Sequence, residues 1–188
     1  TPVISSAASD VYKRQVTACC EGVAAKLGCA AGEVLTASTG VIGEPLDSAV
    51  LADRFDDLVS GSADWQAAAQ AILTTDTFTK GASATATIAG TDVQIAGIAK
   101  GSGMIAPEMA TMLAFIATDA ALPQPVLAAL LADATDCSFN AITVDSDTST
   151  NDSVYLMASG AAANAEVTAA HDPALDSFRD ALDRVMQD

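Results

Sequence analysis

Residues 84–99 constrain the fold more than any other part of this chain. Apolar and small polar residues alternate along Ala84–Ile88 and again along Val93–Ala99, on either side of Ala89-Gly-Thr-Asp92. Alternation with period two marks strands, and a short connection containing glycine joins them as a hairpin. A near-continuous apolar run, Thr111–Thr118, predicts another strand, and Glu33–Ser38 and Ser138–Val144 read as short ones. Helical patterns surround them: Val16–Leu27 closed by Gly28, Asp47–Val59, and Ala63–Leu73 with Trp65 as a core anchor. Further helices are expected over Pro125–Ala134, with proline in the first turn, and over Asp152–Gly160. Leu175, Phe178, Leu182 and Val185 form one helical stripe within residues 175–188. Antiparallel pairing and mixed order predict a layered α/β (α+β) fold, with helices covering a central sheet. No repeat and no flexible linker marks a domain boundary.

With 188 residues, the chain can build one good core, or two small lobes sharing one. Only 4% of residues are aromatic, so that core is mainly Ala, Val, Leu and Ile. Eight basic against 24 acidic residues give a net charge of −16. That opposes binding to nucleic acid or to an anionic membrane surface. No stretch approaches the roughly 20 uninterrupted apolar residues of a membrane span, and no secretory signal opens the chain. The expected compartment is the cytoplasm. Cys19, Cys20, Cys29 and Cys137 form no CxxC pair and no zinc pattern, and are expected to be reduced, buried, small apolar side chains.

Several motifs fail on inspection. Asp145-Ser-Asp-Thr-Ser-Thr-Asn-Asp152 starts like a calcium loop, but Thr150 stands where the sharp-turn glycine belongs and Leu156 where the glutamate belongs. Lys100-Gly-Ser-Gly103 is too short and wrongly ordered for a phosphate loop. His171, the one histidine, sits in a polar stretch beside Asp172 and is expected at the surface. No Gly-x-Ser-x-Gly accompanies it. No metal is expected.

What remains is a set of small polar residues on four segments. Ser38-Thr-Gly-Val-Ile-Gly43 reads either as an ordinary strand-to-helix turn or as an anion site. In the second case a threonine hydroxyl and a glycine N–H converge on one oxygen. Thr74-Thr-Asp-Thr-Phe-Thr-Lys80 is either a capped turn or a hydroxyl-rich binding loop. Lys100, one of few cations in an acidic chain, serves either a salt bridge or a substrate carboxylate. A chain cut before Thr111 would carry a free α-amine beside a hydroxyl. That amine's ordinary pKa of roughly 8 suits it to take the hydroxyl proton.

Ala37-Ser-Thr-Gly-Val-Ile-Gly43, Thr74-Thr-Asp-Thr77, the stretch from Ala99 to Phe115, and the stretch from Phe139 to Asp152 occur in family order. Together they resemble the ornithine acetyltransferase family, also called glutamate N-acetyltransferase. The resemblance runs from about Val16 to the last residue. It implies an N-terminal-nucleophile-like αββα sandwich that cuts itself between Ala110 and Thr111. Thr111 would be the nucleophile, Thr39 and Gly40 the oxyanion hole, and Thr77, Lys100 and Thr111 the substrate contacts. Residues 16–110 would be the C-terminal part of an α chain and 111–188 the N-terminal part of a β chain, within one incomplete catalytic domain. Two departures stand out. Glu108 replaces a neutral or small polar residue, and the family's further substrate-binding residues lie beyond residue 188. Residues 1–15 are set apart, because Ser5-Ser-Ala-Ala-Ser-Asp-Val-Tyr-Lys-Arg-Gln15 resembles translated sequencing-adapter DNA. The expectation is an internal piece of a longer protein.

The implied reaction is acetyl transfer from N-acetylornithine to glutamate through an acetyl-Thr111 ester, in arginine biosynthesis, and it requires no tightly bound cofactor. Acetyl-coenzyme A is a possible co-substrate, and an α2β2 heterotetramer is the implied assembly of the full-length parent. Two alternatives stand beside it. One is a related N-terminal-nucleophile amidase or aminopeptidase that passes the acyl group to water. The other is an inactive fragment.

Overall fold

The computed structural model describes residues 6–39, 48–62, 64–102, 112–142 and 152–188. The chain divides into two compact units, residues 1–63 and 64–188, just after Ser60-Gly-Ser62, where the sequence reading marked no boundary.

In the first unit, helix α1 spans Ser6–Leu27, starting ahead of the expected Val16. It ends where expected. Gly28 takes φ 71° and donates its N–H to Ala24 O at 2.8 Å, the left-handed stop that glycine makes without strain. The expected helix over Asp47–Val59 is two short ones, α2 (Ser48–Ala52) and α3 (Phe55–Ser60), separated by a turn at Asp53-Arg54. Phe55 of α3 packs on Gly22 of α1 so closely that a Cβ there would lie 2.4 Å from its ring. The expected strand Glu33–Ser38 does not form. A 3-10 turn covers Ala31–Glu33 and irregular backbone follows to Thr39, because no partner strand lies beside it among the described residues.

The second unit opens with α4 (Trp65–Ala71), capped by Asp64, whose side chain accepts the Ala67 N–H. Trp65 is 43% exposed, so it is not the core anchor that the sequence suggested. The hairpin is present as β1 (Lys80–Ile88) and β2 (Thr91–Lys100), with Ile88 opposite Thr91. Its turn is tighter than the expected four residues. Ala89 (φ 48°) and Gly90 (φ 87°) alone connect the strands, and positive φ at both positions matches the strand twist. β3 (Leu113–Thr118) pairs antiparallel with β2, and β4 (Ser153–Ala158) pairs parallel with β3, giving a sheet ordered β1-β2-β3-β4. α5 (Gln124–Asp136), with proline in its first turn, lies between β3 and β4 in the chain.

Two expectations fail here. Within the expected helix over 152–160, residues 153–158 form β4 instead, since Val154, Tyr155 and Leu156 pair with the apolar β3. Period alone does not separate so short an apolar run from a helix. The expected strand over 138–144 is a 3-10 turn at Phe139–Ala141, with residues 143–144 outside the described ones.

α6 (Asp176–Gln187) carries the expected stripe and buries Phe178, Ala181, Leu182, Val185 and Met186. These pack with Ile88, Val93, Ile95, Ile116 and Leu130 into one core. Gly97 lets the helix approach the sheet: a Cβ there would lie 3.3 Å from Val185 and 3.2 Å from Ile116. The mixed α/β architecture is as expected, with helices on a central sheet.

Candidate active site

Polar groups of the second unit gather where β2 ends. Lys100, the last residue of that strand, lies opposite Leu113 in the sheet and is only 2% exposed. Its Nζ donates to Thr74 Oγ1 at 3.3 Å. Thr74 belongs to the loop between α4 and β1, which Asp76 fastens to the strand end. Gly101 N–H donates to Asp76 Oδ1 at 2.7 Å, and Lys80 Nζ donates to the same oxygen at 2.5 Å. The Asp76 side chain has no exposed surface, and its Oδ2 accepts no hydrogen bond among the described residues. A second tie joins Thr75 Oγ1 to Ser102 Oγ at 2.9 Å.

The neighbouring strand is fastened at the same level. Met112 N–H donates to Asp152 Oδ1 at 2.7 Å, and Ser153 N–H donates to Met112 O at 3.0 Å. Asp152 thus closes the start of the β3–β4 pair, next to Lys100 across the β2–β3 register. A groove of 440 Å³ runs along β1 and β2 from Lys80, between Trp65 and Ala69 on one side and Ser83 and Ile98 on the other.

The charges here are balanced against burial. Desolvation pushes the Lys100 amine below its ordinary pKa of 10.5. The Asp76 and Asp152 carboxylates pull it back up, and the Lys80 ammonium pushes it down again. For Asp76 burial works in the raising direction. It is outweighed by the Lys80 hydrogen bond and charge and by the Gly101 and Thr74 backbone, which together hold the carboxyl below its ordinary value. A buried ammonium beside hydroxyls, anchored by carboxylates, is suited to bind an anionic group by a charge-assisted hydrogen bond.

Of the residues marked in the sequence, the structure brings Lys100 and the Thr74–Thr77 loop together; Thr77 itself is exposed. Thr39 is half-buried in irregular backbone of the first unit. Gly40, Ala110 and Thr111 lie outside the described residues, as does most of the calcium-like stretch 145–152. Asp76 and Asp152 were missed. The signal for Asp76 was its placing four residues before Lys80, the cation that opens β1; Asp152 had none that stood apart from the failed calcium pattern. His171 is exposed, 3.8 Å from Asp133. The cysteines differ from expectation: Cys19 and Cys20 are half-buried, and Cys29 and Cys137 are exposed. Among the described residues, no three His, Cys, Asp or Glu are grouped to hold a metal, and no helix is long and apolar enough to cross a membrane.

Comparison with known families matches residues 10–188 to the ArgJ family. The chain belongs to the ArgJ family. The arginine biosynthesis bifunctional protein ArgJ of Rhizobium meliloti (strain 1021) is 51% identical over 173 residues, which are 89% of this chain and 42% of that protein. Its counterpart in Mesorhizobium japonicum is 53% identical over 172 residues, again 89% and 42%. The one in Caulobacter vibrioides is 48% identical over 182 residues, 96% of this chain and 44% of that protein. This ArgJ family chain therefore spans less than half the length of the curated relatives it matches. The segments that suggested an ornithine acetyltransferase all fall inside the matched range.

Proposed function

We propose that the whole protein to which this chain belongs is a glutamate N-acetyltransferase of arginine biosynthesis, acting in the cytoplasm. The observation that carries the reading is Lys100. In a chain of net charge −16, one ammonium is buried at a strand end, opposite a residue two positions after Thr111. An anionic amino-acid substrate needs such a cation, and an N-terminal threonine nucleophile needs its substrate held beside it.

The reaction runs in two halves. Self-cleavage at Ala110–Thr111 exposes the Thr111 amine, which takes the proton of its own hydroxyl as Oγ attacks the acetyl carbonyl of N-acetylornithine. Thr39 and Gly40 stabilise the oxyanion. The C–N bond breaks, the proton goes to the leaving amine, and ornithine departs from the acetyl ester. Glutamate's amine then attacks that ester, gives up a proton, and leaves as N-acetylglutamate with Thr111 restored. Lys100 and Thr77 hold the substrate's carboxylate end. Acetyl-coenzyme A is a possible second donor, and the working assembly is an α2β2 heterotetramer.

The fold completes as an αββα sandwich. Phe115 and Tyr155 stack 5.9 Å apart on the sheet face away from α6, where Met157 is 42% exposed, and a second sheet would bury that face.

The test is incubation of the full-length protein with N-acetylornithine and labelled glutamate. N-acetylglutamate and ornithine in equal amounts are expected, with two pieces on a denaturing gel and threonine at the new N-terminus. Thr111→Ala should leave one piece and no transfer. Release of acetate without acetylglutamate would replace the transferase with the amidase reading.

A further inference from the structure

The Lys100 site contains a carboxylate that the proposed reaction does not use. Asp76 has no exposed side-chain surface, one oxygen tied to Gly101 N–H and Lys80 Nζ, and the other without a hydrogen bond among the described residues. A buried carboxylate half left over is costly unless a charge nearby compensates it. Lys80 is one such charge, though it stays partly exposed. The other is Lys100, which is nearly as buried as Asp76 and reaches the same loop through Thr74.

We infer that Asp76 is the positioning residue of the Lys100 site, its carboxylate supplying the buried counter-charge that keeps the Lys100 ammonium charged and in place at the end of β2. The inference rests on the reading of Lys100 as the carboxylate-binding cation, and adds what makes that cation tolerable indoors. Among the described residues, the charged groups facing Lys100 include Asp76 from the α4–β1 loop, Lys80 from the start of β1, and Asp152 from the start of β4. Asp76 and Asp152 attract it, and Lys80 both repels it and competes for Asp76. Lys80 and Asp76 should therefore act on Lys100 in opposite directions, which a purely structural Asp76 would not produce.

The chain has four lysines, Lys13, Lys26, Lys80 and Lys100, so each can be followed by NMR with 13C-labelled lysine as the pH is raised. Asp76→Asn keeps the shape and an acceptor for Gly101 N–H while deleting the charge. The Lys100 midpoint should fall by about one pH unit or more, the scale of one neighbouring opposite charge. Lys80→Met should raise it, and Lys13 and Lys26 should not move in either variant. If Asp76→Asn does not fold, as circular dichroism would show, Lys80→Met and the charge-keeping Asp76→Glu still decide. A Lys100 midpoint unmoved by Asp76→Asn, or lowered by Lys80→Met, overturns the inference. The carboxylate reading fails separately: Lys100→Met in the full-length protein would then leave both KM values unchanged, whatever the titrations show.

Discussion

The two ends of β2 are buried by different means. Toward the hairpin turn, Val93 and Ile95 lie fully inside, covered by Phe178 and Leu182 of α6. Toward Gly101, the strand ends in a lysine hidden among Thr74, Asp76 and Asp152. Shape does the holding at the first end and matched charge at the second. The hydrophobic end should respond to volume, and the polar end to pH and charge.

Phe178→Ala should give the largest effect. The side chain is fully buried, and its removal leaves a cavity under the sheet costing about 3–5 kcal/mol, read by urea denaturation. A loss below about 1 kcal/mol would mean that α6 is not what closes that end. Gly97→Ala comes next. Its new methyl would press on both Ile116 and Val185, so about 1–3 kcal/mol of overpacking is expected. An unchanged urea midpoint would show that α6 has room to shift.

At the polar end Lys100→Met should cost about 1–3 kcal/mol at neutral pH, because it takes one counter-charge from the buried Asp76 carboxylate and leaves Lys80 to compensate it alone. In the full-length protein the same substitution should raise both KM values by roughly tenfold or more, the scale of one lost charge-assisted hydrogen bond. The smallest effect is in pH dependence. The folded chain holds the Lys100 proton less tightly than the unfolded one. Stability should therefore rise with pH between its lowered folded pKa and the ordinary 10.5, and Lys100→Met should remove that rise. Asp76 gives a slope of the same sign in the acid range. Its stabilisation is present above the ordinary carboxyl value and lost as pH falls through the lowered folded one, a loss that Asp76→Asn should abolish.

The same contrast explains what could be read in advance. The β1–β2 hairpin, the proline start of α5, the Gly28 stop and the α6 stripe are written in local spacing, and all were legible. β4 was not, because Val154–Met157 becomes a strand only by pairing with β3, some 40 residues earlier in the chain. Trp65 was misjudged because its size suggested a core and the packing beneath α4 uses Ala69 instead. In the site, Lys100 was legible as a scarce cation at a strand end. Asp76 was hidden by its neighbours, since a run of hydroxyls reads as a turn whether or not a buried acid lies within it.

The parallel β3–β4 pair also sets an order of assembly. The hairpin closes over two residues, Ala89 and Gly90, whereas Asp152 must reach Met112 across a separation of 40. Closing a longer loop costs more entropy, so the hairpin can be in place while β4 is still searching. Through that interval Lys100 has Asp76 beside it and not yet Asp152. The last strand to dock thus brings the second counter-charge, and the site reaches its final electrostatic state only when the sheet is complete.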